Sequence, residues 1–213
     1  MKANKYSGRF IVFEGLDGSG QSTQVKLLAE FLEKRGYKVL KTKEPTKDSV
    51  AGKKIAKILH KKEEVPPFEF QKLFSKDRAW HLKKIIIPAL KERKIVISDR
   101  YFFSSFSYGI TEGVELKELI ALNKKFLLPD LVFFLDVSPE ICIQRIERRG
   151  KEKTLFEEKE ILKKVYENYK KVLKEFEKTT KIFIINGERS IEEVFEDVKS
   201  RISTNLPRIS RIS

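Results

Sequence analysis

The sequence predicts an α/β fold in which a five-stranded parallel sheet is covered by helices on both faces. Apolar runs of strand length alternate along the chain with segments of helical spacing, which is the order that parallel sheets require. A glycine-rich segment also joins the first apolar run to the first helical segment, as in phosphate-binding α/β proteins. The five predicted strands are residues 9–13, 37–42, 95–98, 131–136 and 181–185.

The predicted helices lie between these strands and after the last one. Apolar positions recur at helical spacing after the glycine-rich segment until Gly36 supplies a stop. A long helix is predicted over residues 67–93, with a disturbance at Pro88 because proline has no N–H to donate. Further helices are predicted over residues 139–148, from the break at 150–154 to about 178, and from a Ser190 cap to about 202, with a tail at about 203–213.

The composition is that of a single domain spanning residues 1–213, long enough to bury a sizeable core. No apolar run reaches membrane-spanning length and the N-terminus lacks an apolar signal region, so we expect no membrane partner and a cytoplasmic location. The lone Cys142 cannot form an internal disulfide, and the two histidines stand far apart, which argues against zinc. The net charge of +14 is spread among interleaved Lys and Glu, so we favour a heat-adapted surface and no nucleic-acid partner.

The glycine-rich segment has the spacing of a phosphate-binding P-loop. Gly15 and Gly20 are separated by four residues, and Ser22 follows after one more position. The backbone N–H groups of such a loop and the N-terminus of the next helix bind an anion. Gln21 occupies the lysine position, so the ammonium that would contact the β- and γ-phosphates is missing. An ordinary tight turn is the alternative, but the spacing, Ser22 and the flanking elements together favour a P-loop.

Charged residues follow the predicted strands at the edge of a parallel sheet where ligands bind. Lys43 follows the second strand, Asp99 and Arg100 follow the third, and Asp136 ends the fourth. Each alone could be a solvated loop charge, but beside a P-loop the group predicts a phosphate site. We expect Asp99 to bind Mg²⁺ together with the Ser22 hydroxyl.

Aromatic and basic residues elsewhere predict the rest of the site. Phe74 and Arg78 share one face of the long helix, where they could stack on a base and donate to it, although Phe74 could equally pack in the core. The aromatic and hydroxyl-rich stretch 102–109 suits a pocket for a flat polar ligand, or packing and helix caps. A basic segment around Gly150 is a candidate lid, or else a solvated helix end. Its bases are Arg145, Arg148, Arg149, Lys151 and Lys153.

Seven short stretches within residues 8–200 have the order and spacing of one known family. They read FEGLDGSG at 13–20, KEPT at 43–46, LFSKDR at 73–78, SDRY at 98–101, LPDL at 128–131, LDVSPE at 135–140 and NG at 186–187. In these motifs the chain resembles the thymidylate kinases, which are nucleoside monophosphate kinases with a P-loop. The resemblance implies a three-layer P-loop kinase fold with a five-stranded parallel sheet, a short lid at about 148–156, the use of ATP and Mg²⁺, and a homodimer.

On the acceptor side, the resemblance implies binding of dTMP. Phe74 would stack on thymine and Arg78 would hydrogen-bond its edge. Arg100 would grip the phosphate, Asp17 would approach the 3′-hydroxyl, and Tyr108 would crowd the 2′ position and disfavour ribonucleotides. The implied acceptor-binding residues are Asp17, Lys43, Phe74, Arg78, Arg100, Ser105 and Tyr108.

On the donor side, the resemblance implies that Arg145 packs on adenine beside the loop of Gly187. The implied ATP-binding residues are Gly15, Asp17, Gly18, Ser19, Gly20, Gln21, Ser22, Thr23, Arg145 and Gly187. The implied metal ligands are Ser22 and Asp99, and the implied catalytic residues are Asp17, Arg100, Arg148 and Arg149.

Three positions depart from the family pattern. Gln21 removes the loop charge, and the loss of one comparable donor costs on the order of a hundredfold in rate. Lys43 replaces an arginine, so a point charge stands in place of a bidentate fork. The usual Asp-Arg pair of the lid reads Lys153-Thr154. Family members that have glycine at the position of Gly18 carry an additional arginine in the lid. We therefore expect compensation from the lid bases, chiefly Arg148, Arg149 or Lys151.

Phosphoryl transfer from ATP to dTMP is the leading functional interpretation. A kinase with a shifted or broader acceptor range, such as dUMP, is one alternative. A catalytically weak nucleotide-binding relative, in which Gln21 marks lost chemistry, is another, and the acceptor-side residues Phe74, Arg78, Arg100 and Tyr108 argue against it. A nucleic-acid-binding module has only the net charge in its favour.

Overall fold

The strands form one parallel sheet, as the sequence predicts. The computed structural model describes residues 1–150 and 154–205, and within them the sheet has five strands in the order β2-β3-β1-β4-β5. Every pairing is parallel. The strands are β1 (Arg9–Gly15), β2 (Val39–Lys43), β3 (Ile95–Asp99), β4 (Leu131–Asp136) and β5 (Lys181–Asn186).

Helices cover both faces of this sheet. Alternate residues of β1 point to opposite faces, so Phe10 and Val12 enter one apolar cluster while Ile11 and Phe13 enter the other. All four side chains are fully buried. Because both faces are dry, the central strands are continuous apolar runs without polar alternation. In chain order, the helices of the described residues are α1 (Gln21–Glu33), α2 (Val50–Leu59), α3 (Pro67–His81), α4 (Ile87–Lys91), α5 (Phe102–Thr111), α6 (Leu116–Asn123), α7 (Pro139–Arg148), α8 (Lys159–Phe176) and α9 (Ile191–Asn205).

The long helix predicted over residues 67–93 is interrupted where the proline predicts. α3 and α4 are joined by a π-helical turn, Leu82–Ile86, just before Pro88. Pro88 cannot donate a hydrogen bond to the carbonyl four residues earlier, and its ring clashes with that carbonyl. A locally wider turn accommodates this conflict while the chain continues in the same direction.

Three helices are absent from the sequence prediction. The helix α5 consists of buried residues over most of its length, so it has no amphipathic period to reveal it. The helix α6 has only eight residues, and α2 begins at a Ser49 cap whose hydroxyl accepts from the Gly52 N–H at 2.8 Å. Short or wholly buried helices lack the periodic signal on which a sequence prediction depends.

The end of the chain differs from the prediction. The Ser190 hydroxyl accepts from the Glu193 N–H at 3.3 Å and caps α9, as expected. The helix then continues to Asn205, so the first three residues of the predicted tail at 203–213 are helical. Residues 206–213 lie outside the described part of the chain, as do residues 151–153 of the predicted lid. No helix in the described ranges combines the length and the apolar character that crossing a membrane requires.

The strand register brings the predicted phosphate residues to one edge. Asp99, the last residue of β3, lies opposite Phe13 of β1 on one side and opposite Lys43 of β2 on the other. The glycine-rich loop leaves β1 at the same edge, and the first turn of α1 follows it. Loop, lysine and aspartate are therefore neighbours because the three strands are parallel and in register.

Candidate active site

The loop between β1 and α1 has a backbone that requires glycine at two positions. Gly18 and Gly20 have φ angles of 86° and 98°, in the left-handed region. A Cβ on Gly18 would also lie 2.6 Å from the carbonyl oxygen of Cys142. Gly20 is the N-cap of α1, so the free N–H groups of the first helical turn face the end of the loop. The loop is built as an anion site, as its spacing predicts.

Gln21 is folded into this loop. Its residue is only 5% exposed, and its Nε2 donates to the carbonyl oxygen of Gly15 at 3.0 Å. Its Oε1 accepts from Nη2 of Arg100 at 3.4 Å. The amide therefore occupies the inner side of the loop and contacts the arginine that follows β3.

Arg100 is held at the centre of the site. Its backbone has a φ of 75°, an uncommon conformation for a residue with a Cβ, and its N–H donates to Phe13 O at 2.9 Å. Nη1 donates to Gly15 O at 3.0 Å and Nη2 to Asp17 Oδ1 at 2.9 Å. Burial alone would lower the pKa of this guanidinium, but the attraction of Asp17 and neighbouring groups outweighs it and raises the pKa well above the ordinary value. Arg100 is therefore a permanent cation.

Tyr108, on α5, completes the group around Asp17. Its hydroxyl donates to Asp17 Oδ2 at 2.9 Å, so the two carboxylate oxygens are held by Tyr108 and Arg100. Burial, together with the Asp17 carboxylate, raises the pKa of this phenol well above its ordinary value. The phenol stays protonated and fixes the carboxylate in one orientation.

Glu14 is close enough to Arg100 to interact with it electrostatically, and it was not predicted as a functional residue. It is fully buried, and its carboxylate accepts from the Tyr101 N–H at 2.8 Å, from Tyr169 OH at 3.0 Å and from the Ser104 hydroxyl. Burial raises its pKa to about 7, although Arg100 and these hydrogen bonds oppose the shift. A glutamate inside an otherwise apolar strand was the signal that could have revealed it.

Ser22 and Asp99 meet as predicted. The Ser22 hydroxyl donates to Asp99 Oδ2 at 2.5 Å, and Lys43 Nζ lies 2.8 Å from the same oxygen. The other oxygen, Oδ1, is buried without a hydrogen-bond partner. A hydroxyl and an under-used carboxylate are oxygen donors that suit Mg²⁺. The described residues contain no cluster of three or more His, Cys, Asp or Glu side chains that could hold a metal ion.

A cavity of about 400 Å³ opens beside Arg100. Its walls combine aromatic and apolar surface with a few polar groups, as expected for a site that binds a flat polar ligand. Phe74 lies in this wall, with its ring centroid 4.9 Å from that of Phe70. The lining residues are Asp17, Lys43, Glu44, Pro45, Leu59, His60, Phe74, Arg100, Ser104, Ser105, Tyr108, Arg149, Thr154, Phe156 and Glu157.

Arg78 lies behind this cavity wall and is only 1% exposed. Its Nε donates to Glu44 at 2.8 Å, Nη1 to Asn123 at 2.6 Å and Nη2 to Ser105 at 2.8 Å. Ser105 lines the cavity, so Arg78 reaches it through this hydroxyl. Asn123 was not predicted as a site residue, because a lone Asn in a short helix belongs to no motif.

The lid bases are distributed unequally around the cavity. Arg149 lines it, and its Nη2 lies 2.5 Å from Oε1 of Glu157. Glu157 is buried and also accepts from the Thr154 N–H at 2.7 Å. Arg148 is exposed at the last residue of α7 and is not among the described lining residues. Two further predicted lid bases, Lys151 and Lys153, fall outside the described residues.

A second cavity, of about 310 Å³, is lined by the glycine-rich loop and by the first turn of α1. Arg145 Nη2 donates to Gly187 O at 3.0 Å, and Nη1 donates to Ser19 O at 3.5 Å. Arg145 and Gly187 are therefore brought together as predicted. The lining residues are Gly18, Ser19, Gly20, Thr23, Gln24, Arg145, Gly187, Arg189, Ile191 and Val194.

Comparisons with known proteins identify the family of this chain. A family model for thymidylate kinase matches residues 13–198. The chain is 42% identical over 204 residues to a probable thymidylate kinase of Pyrococcus horikoshii, with 93% of this chain and 98% of that protein covered. It is 39% identical over 211 residues to a thymidylate kinase of Caldicellulosiruptor saccharolyticus, with 94% of this chain and 98% of that protein covered. The family model spans most of the sheet and both cavities, so the resemblance found in the motifs is confirmed: the chain belongs to the thymidylate kinase family.

Proposed function

We propose that this protein transfers the γ-phosphoryl group of ATP to dTMP, giving dTDP and ADP for the synthesis of dTTP. The observation that carries the proposal is that two separate cavities, with no lining residue in common, both adjoin the P-loop. Arg100 and Asp17 line the larger one, and Gly18 to Gly20 line the smaller one. A monophosphate and a triphosphate bound there would present their phosphates to each other across the loop.

The larger cavity takes the acceptor. Phe74 offers an aromatic face for thymine, and the Ser105 hydroxyl, fixed by Arg78, offers a polar contact to the base edge. Asp17 approaches the sugar hydroxyl, with Tyr108 packed beside it at the 2′ position. Arg100 and Lys43 bind the acceptor phosphate as a fork and a point charge.

The smaller cavity takes ATP. Arg145, held by the carbonyls of Gly187 and Ser19, presents its guanidinium plane to adenine. Free backbone N–H groups at the end of the loop and in the first turn of α1 bind the phosphates. Ser22 and Asp99 would hold Mg²⁺ beside them. When bound, this ion neutralises part of the charge on the β- and γ-phosphates.

The reaction requires the protein mainly to orient the two nucleotides and to neutralise the negative charge of their phosphates. The phosphate of dTMP is already ionised near neutral pH, so the nucleophile needs no strong base. Arg100, Lys43 and Arg149 all line the acceptor cavity and surround the path of the transferred group with fixed positive charge. Of the lid bases that the structure describes, Arg149 is the best placed to compensate for Gln21, because Glu157 holds it against this cavity.

The release of ADP from ATP in the presence of Mg²⁺ tests this proposal, with dTMP, dUMP or no acceptor. We expect turnover that depends on dTMP and is weaker with dUMP. A Phe74→Ala variant should raise the KM for dTMP about tenfold or more, because the stacking surface is lost. Phe68→Ala, on the same helix but outside the cavity lining, is the matched control. Absence of dTMP-dependent turnover in the unmodified protein would contradict the proposal.

We also propose that residues 1–213 act as one kinase domain, that two copies form a homodimer and that the enzyme works in the cytoplasm. Family membership supports these proposals. Light scattering coupled to size-exclusion chromatography measures the mass of the protein in solution. A measured mass of 24.9 kDa, which is that of a single chain, would contradict the dimer.

A further inference from the structure

The side-chain amide of Gln21 forms hydrogen bonds through both its nitrogen and its oxygen. Nε2 donates to the carbonyl oxygen of Gly15, and Oε1 accepts from Arg100 Nη2. Arg100 Nη1 donates to the same Gly15 carbonyl at 3.0 Å. Gln21 and Arg100 therefore converge on one backbone oxygen and contact each other, which makes a closed arrangement of three groups.

This arrangement holds an arginine that faces the acceptor cavity. Arg100 lines that cavity together with Asp17, whereas Gly18, Ser19 and Gly20 line the second cavity. Gln21 itself belongs to the described lining of neither cavity and is 5% exposed. Its side chain therefore acts on a ligand through Arg100.

We propose that Gln21 is a positioning residue for the acceptor phosphate, through its hydrogen bonds to Arg100 and to the Gly15 carbonyl. A P-loop position that normally serves the donor thus serves the acceptor in this protein. The inference rests on the proposed function, because the acceptor phosphate is the group that Arg100 would bind.

A lysine at position 21 would disturb Arg100, whereas Gln21 holds it in place. An ammonium has three donors and no acceptor, so it cannot receive the hydrogen bond from Arg100. It would also place a second positive charge beside a buried guanidinium. Gln21→Lys should therefore displace Arg100 and weaken acceptor binding, although it restores the usual residue of the motif.

Titration calorimetry with dTMP in the absence of ATP and Mg²⁺ tests the proposal. Gln21→Met has nearly the same size but makes neither hydrogen bond, and should weaken dTMP binding about tenfold or more, since a hydrogen bond to a charged group is lost. Binding of ADP with Mg²⁺ should change much less. Gln24→Met is the matched control: Gln24 is also buried on α1, but it donates to Ile191 O and lines the ATP cavity. It should leave dTMP binding unchanged.

A double-mutant cycle shows whether Gln21 acts through the arginine. In an Arg100→Lys background, Gln21→Met should have little further effect on dTMP binding, because the contact is already lost. Equal dTMP affinity of the unmodified protein and Gln21→Met would overturn the inference. So would tighter dTMP binding or faster turnover in Gln21→Lys. If the unmodified protein does not bind dTMP at all, the proposed function itself is wrong.

Discussion

Arg149 Nη2 lies 2.5 Å from Glu157 Oε1, so an ion pair joins the end of α7 to the segment that precedes α8. Glu157 is buried, and its second oxygen accepts from the Thr154 N–H. Both members of the pair line the acceptor cavity. The guanidinium of Arg149 is therefore held in one orientation by Glu157 before any substrate binds. A cation oriented in advance is suited to stabilising the negative charge of a phosphoryl group during its transfer.

Replacement of Arg149 by alanine should lower kcat about a hundredfold, because a positioned donor to the transferred phosphoryl group is lost. Arg148→Ala removes the same charge one residue earlier, from a side chain that is not among the described residues lining the cavity, and should change kcat only a few-fold. Steady-state assays with ATP and dTMP compare the two variants. A larger loss in Arg148→Ala, or no loss in either, would show that the ion pair with Glu157 does not mark the catalytic lid base.

The stability of the protein should depend on pH through Glu14. Burial raises the pKa of this carboxyl from 4.5 to about 7 in the folded state. Between these two values the folded protein keeps a proton that the unfolded chain has lost, so the free energy of unfolding falls as the pH rises from about 4.5 to about 7. The contribution of Glu14 to this fall is about 3 kcal/mol.

Urea unfolding at several pH values between 5 and 8 measures this effect. Glu14→Gln should flatten the dependence, since the hydroxyls of Ser104 and Tyr169 can turn and accept from the new amide. Burial also raises the pKa of Glu112 to about 7, so Glu112→Gln identifies the part of the slope that belongs to that group. An unchanged slope in Glu14→Gln would mean that Glu14 is ionised throughout this range.

Tyr108 should discriminate against ribonucleotides through its ring. Tyr108→Phe keeps the ring and removes the hydrogen bond to Asp17, so the preference for dTMP over its ribonucleotide counterpart should persist. Tyr108→Ala removes the ring as well and should reduce that preference about tenfold, since a single steric group gives discrimination of this order. The measured quantity is the ratio of kcat/KM values for the two acceptors. Loss of the preference in Tyr108→Phe would assign the discrimination to the hydroxyl and Asp17.

Removal of the Asp99 charge should weaken the use of Mg²⁺. In Asp99→Asn, the concentration of Mg²⁺ that gives half-maximal binding of an ATP analogue should rise about tenfold or more, because a neutral amide is a poorer ligand. Asp136→Asn is the matched control: Asp136 also ends a strand, but its Oδ1 accepts from Tyr166 OH at 2.7 Å. Equal Mg²⁺ dependence in the two variants would place the metal elsewhere.

The predicted site residues that lie close together in the structure are those whose motifs stand next to a strand end. Gly15 ends β1, and Gly20 and Ser22 follow it, while Asp99 ends β3 and Arg100 follows it. Parallel strands bring such positions together whatever the details of packing, so their meeting could be expected from the sequence. Glu157 and Asn123 could not be predicted in this way. Asn123 lies at the end of α6 and Glu157 in the segment before α8, and the positions of both depend on how the helices pack.

The sequence by itself determined the parallel sheet, the P-loop and the loss of the loop lysine, because these depend on local spacing and on strand periodicity. Only the tertiary structure decided what Gln21 contacts, which lid arginine lines the cavity beside Arg100 and that Arg78 lies behind the cavity wall. These three facts depend on the directions of side chains that are far apart in sequence. Such directions are set by packing between elements, and spacing along the chain carries no information about them.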